Sequence, residues 1–338
     1  MERASQPDRA QLAPALLAGC TVVLKLSPEA PGEGYLLAEI AEEVGLPAGV
    51  LNVITADREV SELLVTDPRV DKITFTGSTA AGRRIASLCG ERIARCTLEL
   101  GGKSAAVVLD DAELETVAET ISQSATYISG QVCASLTRIV VSRDRHDAML
   151  DALSSAFSRV RVGDPFDPET QMGPLVSERQ RDRVLGYIDS GVRDGATLAT
   201  GGRRPPHLER GWFVEPTVFG NVDNRSTIGR EEIFGPVLSV IPAADERDAV
   251  RVANDTIYGL NASVFTNDVD RARAVAAELR SGTVGHNAMR MDMGIGFGGF
   301  KQSGIGREGG VEGLHPFLET KTVILEGRPS PYDVQRSS

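Results

Sequence analysis

The chain of 338 residues is poor in the side chains that most often carry metal or triad chemistry. It has only four histidines, so a Ser-His-Asp or histidine–metal mechanism is poorly supplied. Its four cysteines, Cys20, Cys89, Cys96 and Cys133, show neither zinc-type pairing nor the density of a disulfide framework. Reduced thiols in a cytoplasmic protein are the simplest interpretation.

Long apolar runs and basic clusters are also missing. No run approaches the roughly 20 apolar residues that a membrane-spanning helix needs, and the polar first ten residues do not form a signal peptide. The formal net charge is −11 without any basic run. This charge argues against nucleic acid or an anionic membrane surface as the main partner.

The composition is otherwise that of an ordinary globular protein, with alternating strand and helix patterns. It is 41% hydrophobic and 25% charged, and the length suggests about two domains. Runs rich in β-branched residues predict four early strands, at residues 21–25, 50–54, 72–76 and 97–100. Helical spacing between these runs predicts βαβ units and a parallel sheet, which binds ligands beyond the carboxyl ends of its strands.

The rest of the chain predicts a second α/β region. Its strands are predicted at residues 105–109, 138–141, 237–241, 262–266 and 283–286, and its helices at 111–127, 144–159, 177–193, 245–254 and 268–279. Eight glycines between residues 289 and 310 predict a long loop that is functional or mobile. A last strand is predicted at residues 320–325, as an edge for subunit pairing.

One stretch combines a carboxylate, a thiol and flanking glycines. It runs from Glu99 and Gly101-Gly102 to Gly130 and Cys133. Thiolate chemistry needs a base and a nucleophile that meet in space, and glycines let backbone approach a ligand closely. Alone this pair is weak support for catalysis, because a single cysteine is usually a small buried hydrophobe.

A second candidate site lies at the tight strand-to-helix corner of residues 76–79. Ser78 or Thr79 is predicted to cap the helix that follows. Free N–H groups and the helix dipole would suit a phosphate there, but an ordinary capped turn explains the same residues. No G-x-G-x-x-G fingerprint occurs, and Thr97 stands where a P-loop ending at Lys103 needs glycine, so a P-loop is rejected.

Seven motifs, taken in order, resemble those of a known family. They read AGCTVVLK (18–25), FTGST (75–79), ELGGKS (99–104), GQVC (130–133), EEIFGPV (231–237), N-x3-YGL (254–260) and FGGFKQSG (297–304). Over almost the whole chain this order resembles the aldehyde dehydrogenase superfamily of the hydrolytic type. The resemblance implies two α/β domains: a partial Rossmann-like cofactor domain at residues 1–101 and a catalytic domain at 102–303. Residues 304–338 are then expected to return to the cofactor domain and to supply an oligomerisation strand.

The resemblance implies roles for the thiol and the carboxylate. Cys133 matches the nucleophile that attacks the aldehyde, giving a thiohemiacetal and then a thioester. Glu99 matches the general base that activates the deacylating water, and partial burial with a raised pKa would suit that task. Members that pass the acyl group to coenzyme A typically lack this base, so Glu99 predicts a carboxylic acid product.

The same resemblance implies a NAD site, with NADP as the other possibility. Lys25 matches the lysine that hydrogen-bonds the adenosine ribose, and Gly77 and Ser78 match the pyrophosphate turn. The family often has an acid three residues after the lysine, which disfavours a 2′-phosphate. Here that position is Pro28, with Glu29 next, so NAD is only mildly favoured.

Further matched positions are expected near the nicotinamide and the substrate. Glu232 matches the carboxylate that holds the nicotinamide ribose, with Phe234 packed beside it, and Leu100 is also placed at the cofactor. Phe297 falls in the substrate-tunnel region, or is simply a core aromatic. Residues 289–299, with two methionines, suggest an apolar tunnel mouth. The three other cysteines match no catalytic position and are predicted to be core residues.

The sequence departs from the family at its start. Full-length members carry more chain there, including the first strands of the cofactor domain and a Pro-Trp-Asn-Phe-Pro segment whose Asn donates to the oxyanion. Counting back from Lys25 places that Asn near Glu2, where MERASQPDRA does not match. We therefore expect an N-terminally truncated chain with an exposed sheet edge, weakly active or inactive alone.

Two alternatives to an aldehyde-oxidising homo-oligomer (a dimer or tetramer if the chain is intact) follow from these departures. The first is a non-catalytic remnant that binds nucleotide or co-assembles with full-length subunits. The second is a cysteine acyl hydrolase without cofactor, which would leave Lys25, Ser78 and Glu232 without a role.

Overall fold

The computed structural model describes residues 6–292 and 294–327. Its first α/β region, residues 6–99, alternates helices with strands. The elements are α1 (Gln6–Leu17), β1 (Val22–Leu26), α2 (Gly32–Glu43), β2 (Leu51–Thr55), α3 (Arg58–Thr66), β3 (Lys72–Thr76), α4 (Thr79–Glu91) and β4 (Arg95–Glu99). Within the described residues, no helix is long and apolar enough to cross a membrane.

Side-chain caps set where two of these helices begin. The Asp57 side chain accepts a hydrogen bond from the N–H of Val60 at the start of α3. The Ser78 hydroxyl accepts one from the N–H of Ala81 at 3.3 Å, so Ser78 caps α4. The first turn of α4 therefore follows β3 directly at the predicted corner.

The strands of the first region form two separate sheets. β1 pairs with β2 in parallel, and β3 pairs with β4 in parallel. A short strand at Gly304–Ile305 extends the second sheet, because Gly304 pairs with Glu99 in the antiparallel sense. The predicted parallel pairing is therefore present, but it is divided between a two-stranded and a three-stranded sheet.

The second α/β region occupies residues 104–286. Its elements are β5 (Ser104–Val108), α5 (Leu114–Thr126), β6 (Leu136–Ser142), α6 (His146–Ser158), α7 (Glu178–Arg193), β7 (Thr197–Thr200), β8 (Thr217–Gly220), α8 (Thr227–Arg230), β9 (Val237–Ala243), α9 (Glu246–Asn254), β10 (Asn261–Phe265), α10 (Val269–Glu278) and β11 (Thr283–His286). The strand β12 (Gly304–Ile305) and the helix α11 (Gly310–Leu314) follow, and they return the chain to the first region, where α11 contacts α1.

Seven strands of the second region form one sheet in the order β11-β10-β5-β6-β9-β8-β7. All neighbours are parallel except β7 and β8. Every residue of β5 and β10 is buried, and apolar clusters cover both faces of the sheet. Burial on both faces is what near-continuous apolar strands such as Ser104–Val108 require.

Apart from the strand at residues 320–325, the predicted strands and helices are confirmed, with ends that differ by a few residues. Six elements were not predicted: α1, β7, β8, α8, β12 and α11. Pro14 lies inside α1 and argues against a helix in the sequence. The strands β7 and β8 have only four residues each, too short for a clear alternating pattern.

The predicted strand at residues 320–325 is wrong for this chain. Those residues belong to no strand, and Ile324 is 91% exposed. A strand needs a neighbour for its backbone hydrogen bonds, and no described strand pairs with this segment. The cysteine expectation is also only partly right, since Cys89 is buried whereas Cys20 and Cys96 are half-buried.

Candidate active site

Cys133 lies in the turn between a 3₁₀ turn, Tyr127–Gly130, and the strand β6. Ile128, Ser129 and Gly130 all have positive φ, at 48°, 55° and 73°. The Ser129 hydroxyl holds this backbone by donating to two carbonyl groups, at 2.9 and 3.1 Å. Consecutive left-handed residues are costly, and such strain is concentrated at functional sites.

The surroundings of the Cys133 thiol are apolar. Ala134, Leu260 and Phe297 form a buried cluster there, and Cys133 packs against it together with Met289. Burial raises the pKa of the thiol to about 12, and the nearby Glu232 and Glu99 carboxylates add to this effect. The thiol is therefore protonated at neutral pH.

Glu99 is the last residue of β4 and is only 3% exposed. Its two carboxylate oxygens are buried, and neither has a hydrogen-bond partner among the described residues. Gly298 provides the space, because a Cβ at that position would lie 2.6 Å from Glu99 Oε1. The carboxylate and the Cys133 thiol interact electrostatically, so the fold brings the two predicted residues together.

Burial, together with the neighbouring Glu308 carboxylate, raises the pKa of Glu99 to about 9. Arg307 acts in the opposite direction but does not overcome the loss of solvent. The predicted raised pKa is confirmed. The pKa is raised because the carboxyl group at the end of β4 is buried away from water and a second acid, Glu308, lies nearby.

Glu232 follows α8 and reaches the same junction. Its Oε1 accepts a hydrogen bond from the N–H of Gly102 at 3.0 Å. Burial raises the pKa of Glu232, while that bond, Arg183 and Lys103 lower it. A Cβ at Gly101 would lie 2.2 Å from Glu232 Oε2, so the glycine is needed for this approach.

The glycines of the motifs make room for protein rather than for a ligand. A Cβ at Gly102 would lie 2.3 Å from the carbonyl oxygen of Cys133. At Gly130 it would lie 2.3 Å from the backbone of Gly235. Gly101 and Gly102 therefore allow Glu232 and the backbone of Cys133 to approach each other closely, and the expected approach of these glycines and Gly130 to a ligand stays a prediction.

The corner after β3 remains open to solvent. Ser78 is exposed at the start of α4, while Gly77 donates its N–H to the carbonyl of Glu99 at 3.0 Å. The N–H groups of the first turn of α4 point away from the helix body, and the positive end of its dipole lies there. This geometry suits a phosphate, although the N–H of Gly77 is already engaged.

Lys25 is half-buried in β1, near the carboxylate of Glu29. Glu29 itself accepts a hydrogen bond from Ser27 and pairs with Arg179 at 3.3 Å. The Ser27 bond is the main reason that the pKa of Glu29 is lowered. The carboxylate of Glu29, whose pKa is lowered, thus lies four residues after Lys25. The third position after Lys25, where the family often has an acid, is Pro28.

Leu100 and Phe234 occupy different environments. Leu100 is 6% exposed and its side chain packs where Gly82 leaves room on α4. Phe234 is 37% exposed and has φ +60°, and its carbonyl accepts a hydrogen bond from Gln180 at 2.8 Å. The ring of Phe234 is therefore accessible, whereas the side chain of Leu100 is packed inside the protein.

Phe297 is 7% exposed and belongs to the apolar cluster around Cys133. Its backbone forms two hydrogen bonds of 2.7 Å with Glu308. The interpretation as a core aromatic is confirmed, whereas the place of Phe297 in a substrate tunnel stays a prediction. Of the two methionines predicted at the tunnel mouth, Met291 is 42% exposed and Met293 lies outside the described residues.

Three residues of the junction escaped sequence analysis. Glu308 is buried and accepts a 2.6 Å hydrogen bond from Gln11, with its pKa raised to about 7, chiefly by burial. Ser303 is fully buried and donates to the carbonyl of Gly101 at 2.7 Å. Lys103 is 1% exposed, and burial lowers its pKa to about 7. Only the position of Lys103 and Ser303 within glycine-rich motifs could have suggested them.

The comparisons with known proteins agree on one family. The model of the aldehyde dehydrogenase family matches residues 9–323. Geranial dehydrogenase of Castellaniella defragrans is 47% identical over 317 residues, covering 94% of this chain and 66% of that protein. Betaine aldehyde dehydrogenase of Brucella melitensis is 43% identical over 325 residues, covering 95% of this chain and 67% of that protein. The chain thus spans about two thirds of the length of these relatives.

Solved structures give the same result. The Mycobacterium tuberculosis aldehyde dehydrogenase complexed with NAD+ superimposes with a TM-score of 0.92 at 47% identity, covering 96% of this chain and 67% of that one. A betaine aldehyde dehydrogenase of Staphylococcus aureus, in complex with NAD+, gives a TM-score of 0.93 at 37% identity. This match covers 98% of this chain and 68% of that one. Both the sequence and the fold therefore place this chain in the aldehyde dehydrogenase family.

Proposed function

We propose that this chain oxidises an aldehyde to a carboxylic acid with NAD, using Cys133 as nucleophile and Glu99 as general base. The observation that carries the proposal is the Glu99 carboxyl group, buried without a hydrogen-bond partner among the described residues and within electrostatic range of the Cys133 thiol. An unpaired buried carboxylate is costly for stability, so its presence next to a thiol supports a chemical role.

The residues present fit a dinucleotide. Glu232 uses Oε1 for the N–H of Gly102, and its other oxygen remains free for a ribose hydroxyl. Ser78 and the start of α4 offer exposed backbone donors to a pyrophosphate, and Lys25 lies on the neighbouring strand β1. Glu29, near Lys25, would repel a 2′-phosphate, which supports NAD over NADP.

The chain's own groups account for the covalent steps. The Cys133 thiol loses its proton to water, and its sulfur attacks the aldehyde carbon and forms a thiohemiacetal, while the N–H of Cys133 donates to the oxygen of that group. When bound, NAD supplies the acceptor for the hydride that leaves this carbon. Water then attacks the resulting thioester, the ionised form of Glu99 takes one proton from this water and passes it to the leaving Cys133 sulfur, and the carboxylic acid is released.

The surroundings of Cys133 favour an apolar aldehyde. Phe297, Leu260 and Met289 line one side of the thiol, and the two acids within its electrostatic range, Glu99 and Glu232, both have raised pKa values. The relative named geranial dehydrogenase takes its name from an apolar aldehyde, whereas the betaine aldehyde of the other relatives is cationic. We therefore propose that geranial, or an aldehyde of similar polarity, is preferred over betaine aldehyde.

The test is NADH formation by the purified chain with NAD and either aldehyde. We expect turnover that Cys133→Ser reduces to background, and that the half-buried, non-catalytic Cys96→Ser leaves intact. Equal loss in both variants, or turnover that survives Cys133→Ser, would contradict the proposed nucleophile. Substitution of NADP for NAD should raise KM and leave the dependence on Cys133 unchanged.

The non-catalytic remnant is the second candidate. It is supported by the division of the first region into two sheets and by the share of its relatives that the chain spans. Binding of NAD without any NADH formation, in both wild type and Cys133→Ser, is the result expected for a remnant. Titration of NAD by calorimetry measures this binding independently of turnover.

A further inference from the structure

A small cavity lies beside the turn that carries Cys133. Lys103, Ser104 and Asn261 line it, with exposed fractions of 1%, 3% and 1%. Leu260, which packs at the Cys133 thiol, lines it as well. Lys103 Nζ, Ser104 Oγ and Asn261 Oδ1 are buried, and none has a hydrogen-bond partner among the described residues. Buried polar atoms normally have partners, so three unpaired ones around one cavity indicate a binding site for a polar ligand.

Asn261 connects this cavity to the turn. It is the first residue of β10, and its Nδ2 donates to the carbonyl of Ala134 at 3.0 Å. A carbonyl oxygen only accepts hydrogen bonds, so the amide has Nδ2 at Ala134 and Oδ1 away from it. The side chain therefore holds the residue after the nucleophile with one atom and keeps the other for the ligand of the cavity.

The backbone of Ala134 acts directly on the nucleophile. The N–H groups of Ala134 and Cys133 donate to the Cys133 sulfur, and both bonds favour the ionised form of the thiol. The carbonyl of Cys133 lies against Gly102, where a Cβ would come within 2.3 Å of it. The hydrogen bond from Asn261 thus fixes the orientation of a buried residue whose own N–H faces the sulfur.

The charges around the cavity select its ligand. Arg138 also lines the cavity, but its guanidinium already donates to four other acceptors. Among the described lining residues none is acidic, so Lys103 Nζ remains as a donor and Asn261 Oδ1 as an acceptor. Oδ1 would repel an anion, and Lys103 and Arg138 would repel a cation. A water molecule accepts from the amine and donates to the amide oxygen, so it satisfies both.

We propose that Asn261 is a positioning residue for Cys133, and that one buried water molecule bridges Lys103 Nζ and Asn261 Oδ1. This role rests on the proposed function of Cys133 as nucleophile. The Ser104 hydroxyl supplies the water with a third partner. With its oxygen held in this way, the Asn261 amide keeps Nδ2 on the carbonyl of Ala134. The N–H groups of Ala134 and Cys133 stay directed at the sulfur, and they stabilise the thiolate when it forms.

The test is the rate at which iodoacetamide alkylates Cys133, followed by peptide mass spectrometry from pH 8 to pH 10 without cofactor or aldehyde. In Asn261→Leu the side chain keeps a branched shape but forms no hydrogen bonds. We expect alkylation about tenfold slower at each pH, because the thiolate loses the alignment of its N–H donors. Mere loosening of the turn would expose the thiol and speed its alkylation, so the direction of the change separates the two causes.

Asn224→Leu is the matched control. Asn224 is also a buried amide, 9% exposed, and it donates to the carbonyl of Asp255 at 3.1 Å. We expect this variant to lose stability in urea unfolding and to leave the alkylation rate of Cys133 unchanged. Circular dichroism identifies a variant that fails to fold. Asn261→Ala, which needs less space, then replaces Asn261→Leu, and slower alkylation is expected again.

The water molecule is tested by crystallography of the full chain. We expect one peak within hydrogen-bonding distance of both Lys103 Nζ and Asn261 Oδ1, without an anomalous signal after soaking in bromide or rubidium. A bromide peak would assign the cavity to an anion, and a rubidium peak would assign it to a cation. Either peak would overturn the water bridge.

Unchanged or faster alkylation in Asn261→Leu, or equal slowing by Asn224→Leu, would overturn the positioning role. None of these readouts involves NADH formation. A chain that forms no NADH but shows the expected alkylation rates would contradict aldehyde oxidation and support the role of Asn261. An active chain in which Asn261→Leu is alkylated like wild type would do the reverse.

Discussion

Replacing Glu99 by glutamine should change how the stability of the protein depends on pH. The pKa of Glu99 is raised from 4.5 to about 9 in the folded protein, chiefly by burial. Below pH 4.5 the carboxyl group of Glu99 is protonated in both the folded and the unfolded chain, so it does not change the free energy of unfolding with pH there. As the pH rises toward 9 the unfolded chain ionises and the folded one does not, so stability falls throughout this window.

The size of the effect follows from that window. Each pH unit between the two pKa values changes the free energy of unfolding by about 1.4 kcal/mol, so raising the pH from 5 to 8 costs wild type about 4 kcal/mol through Glu99 alone. Glutamine has nearly the same shape and does not titrate. The Glu99→Gln variant should therefore lose about 4 kcal/mol less than wild type over the same interval.

The assay is urea unfolding of the ligand-free chain at pH 5 and pH 8, for wild type, Glu99→Gln and Glu115→Gln. Glu115 is exposed on α5, so its variant should follow wild type. The titrating groups that do not interact with Glu99 cancel in the comparison, so the remaining difference belongs to Glu99 and to its coupling with Glu308 and Cys133. Parallel pH dependence of wild type and Glu99→Gln would refute the claim that Glu99 is buried in its neutral form.

Three further perturbations follow from the site and the core. Gly298→Ala places a methyl group 2.6 Å from Glu99 Oε1, so steady-state NADH formation should fall at least tenfold while circular dichroism stays unchanged. Arg138→Met leaves four buried acceptors without their donor, and urea unfolding should show a loss of about 3 kcal/mol or more. Phe297→Ala opens the apolar cluster at Cys133, so KM for an apolar aldehyde should rise severalfold more than KM for a small one.

Much of the fold was predictable because strand and helix patterns are local. The β-branched runs and the expected cap at Ser78 or Thr79 place the elements of the first region within a few residues. Pairing between distant segments was not predictable from these patterns. The return of Gly304–Ile305 to β4, and the division of the first region into two sheets, depend on which edges find partners.

The candidate site was also predictable where local motifs mark its residues, and not where contacts between distant segments create it. Motif order singled out Glu99, Cys133 and Glu232, and the structure brings these three side chains to one junction. Glu308 carries no motif, since its importance arises only from burial beside Glu99 and from the Gln11 amide that reaches it from α1. Neither burial nor a contact across 297 residues of sequence can be read from local pattern.

The proposed base depends on a single strand pair. Thr76, at the end of β3, pairs with Glu99 at the end of β4, and Gly77 donates to the carbonyl of Glu99. β3 supports the backbone of the base on one side while its other edge has no strand among the described residues. An edge strand frays more readily than a central one because half of its backbone groups lack partners. Fraying of β3 would therefore displace the carboxyl group of Glu99 relative to Cys133.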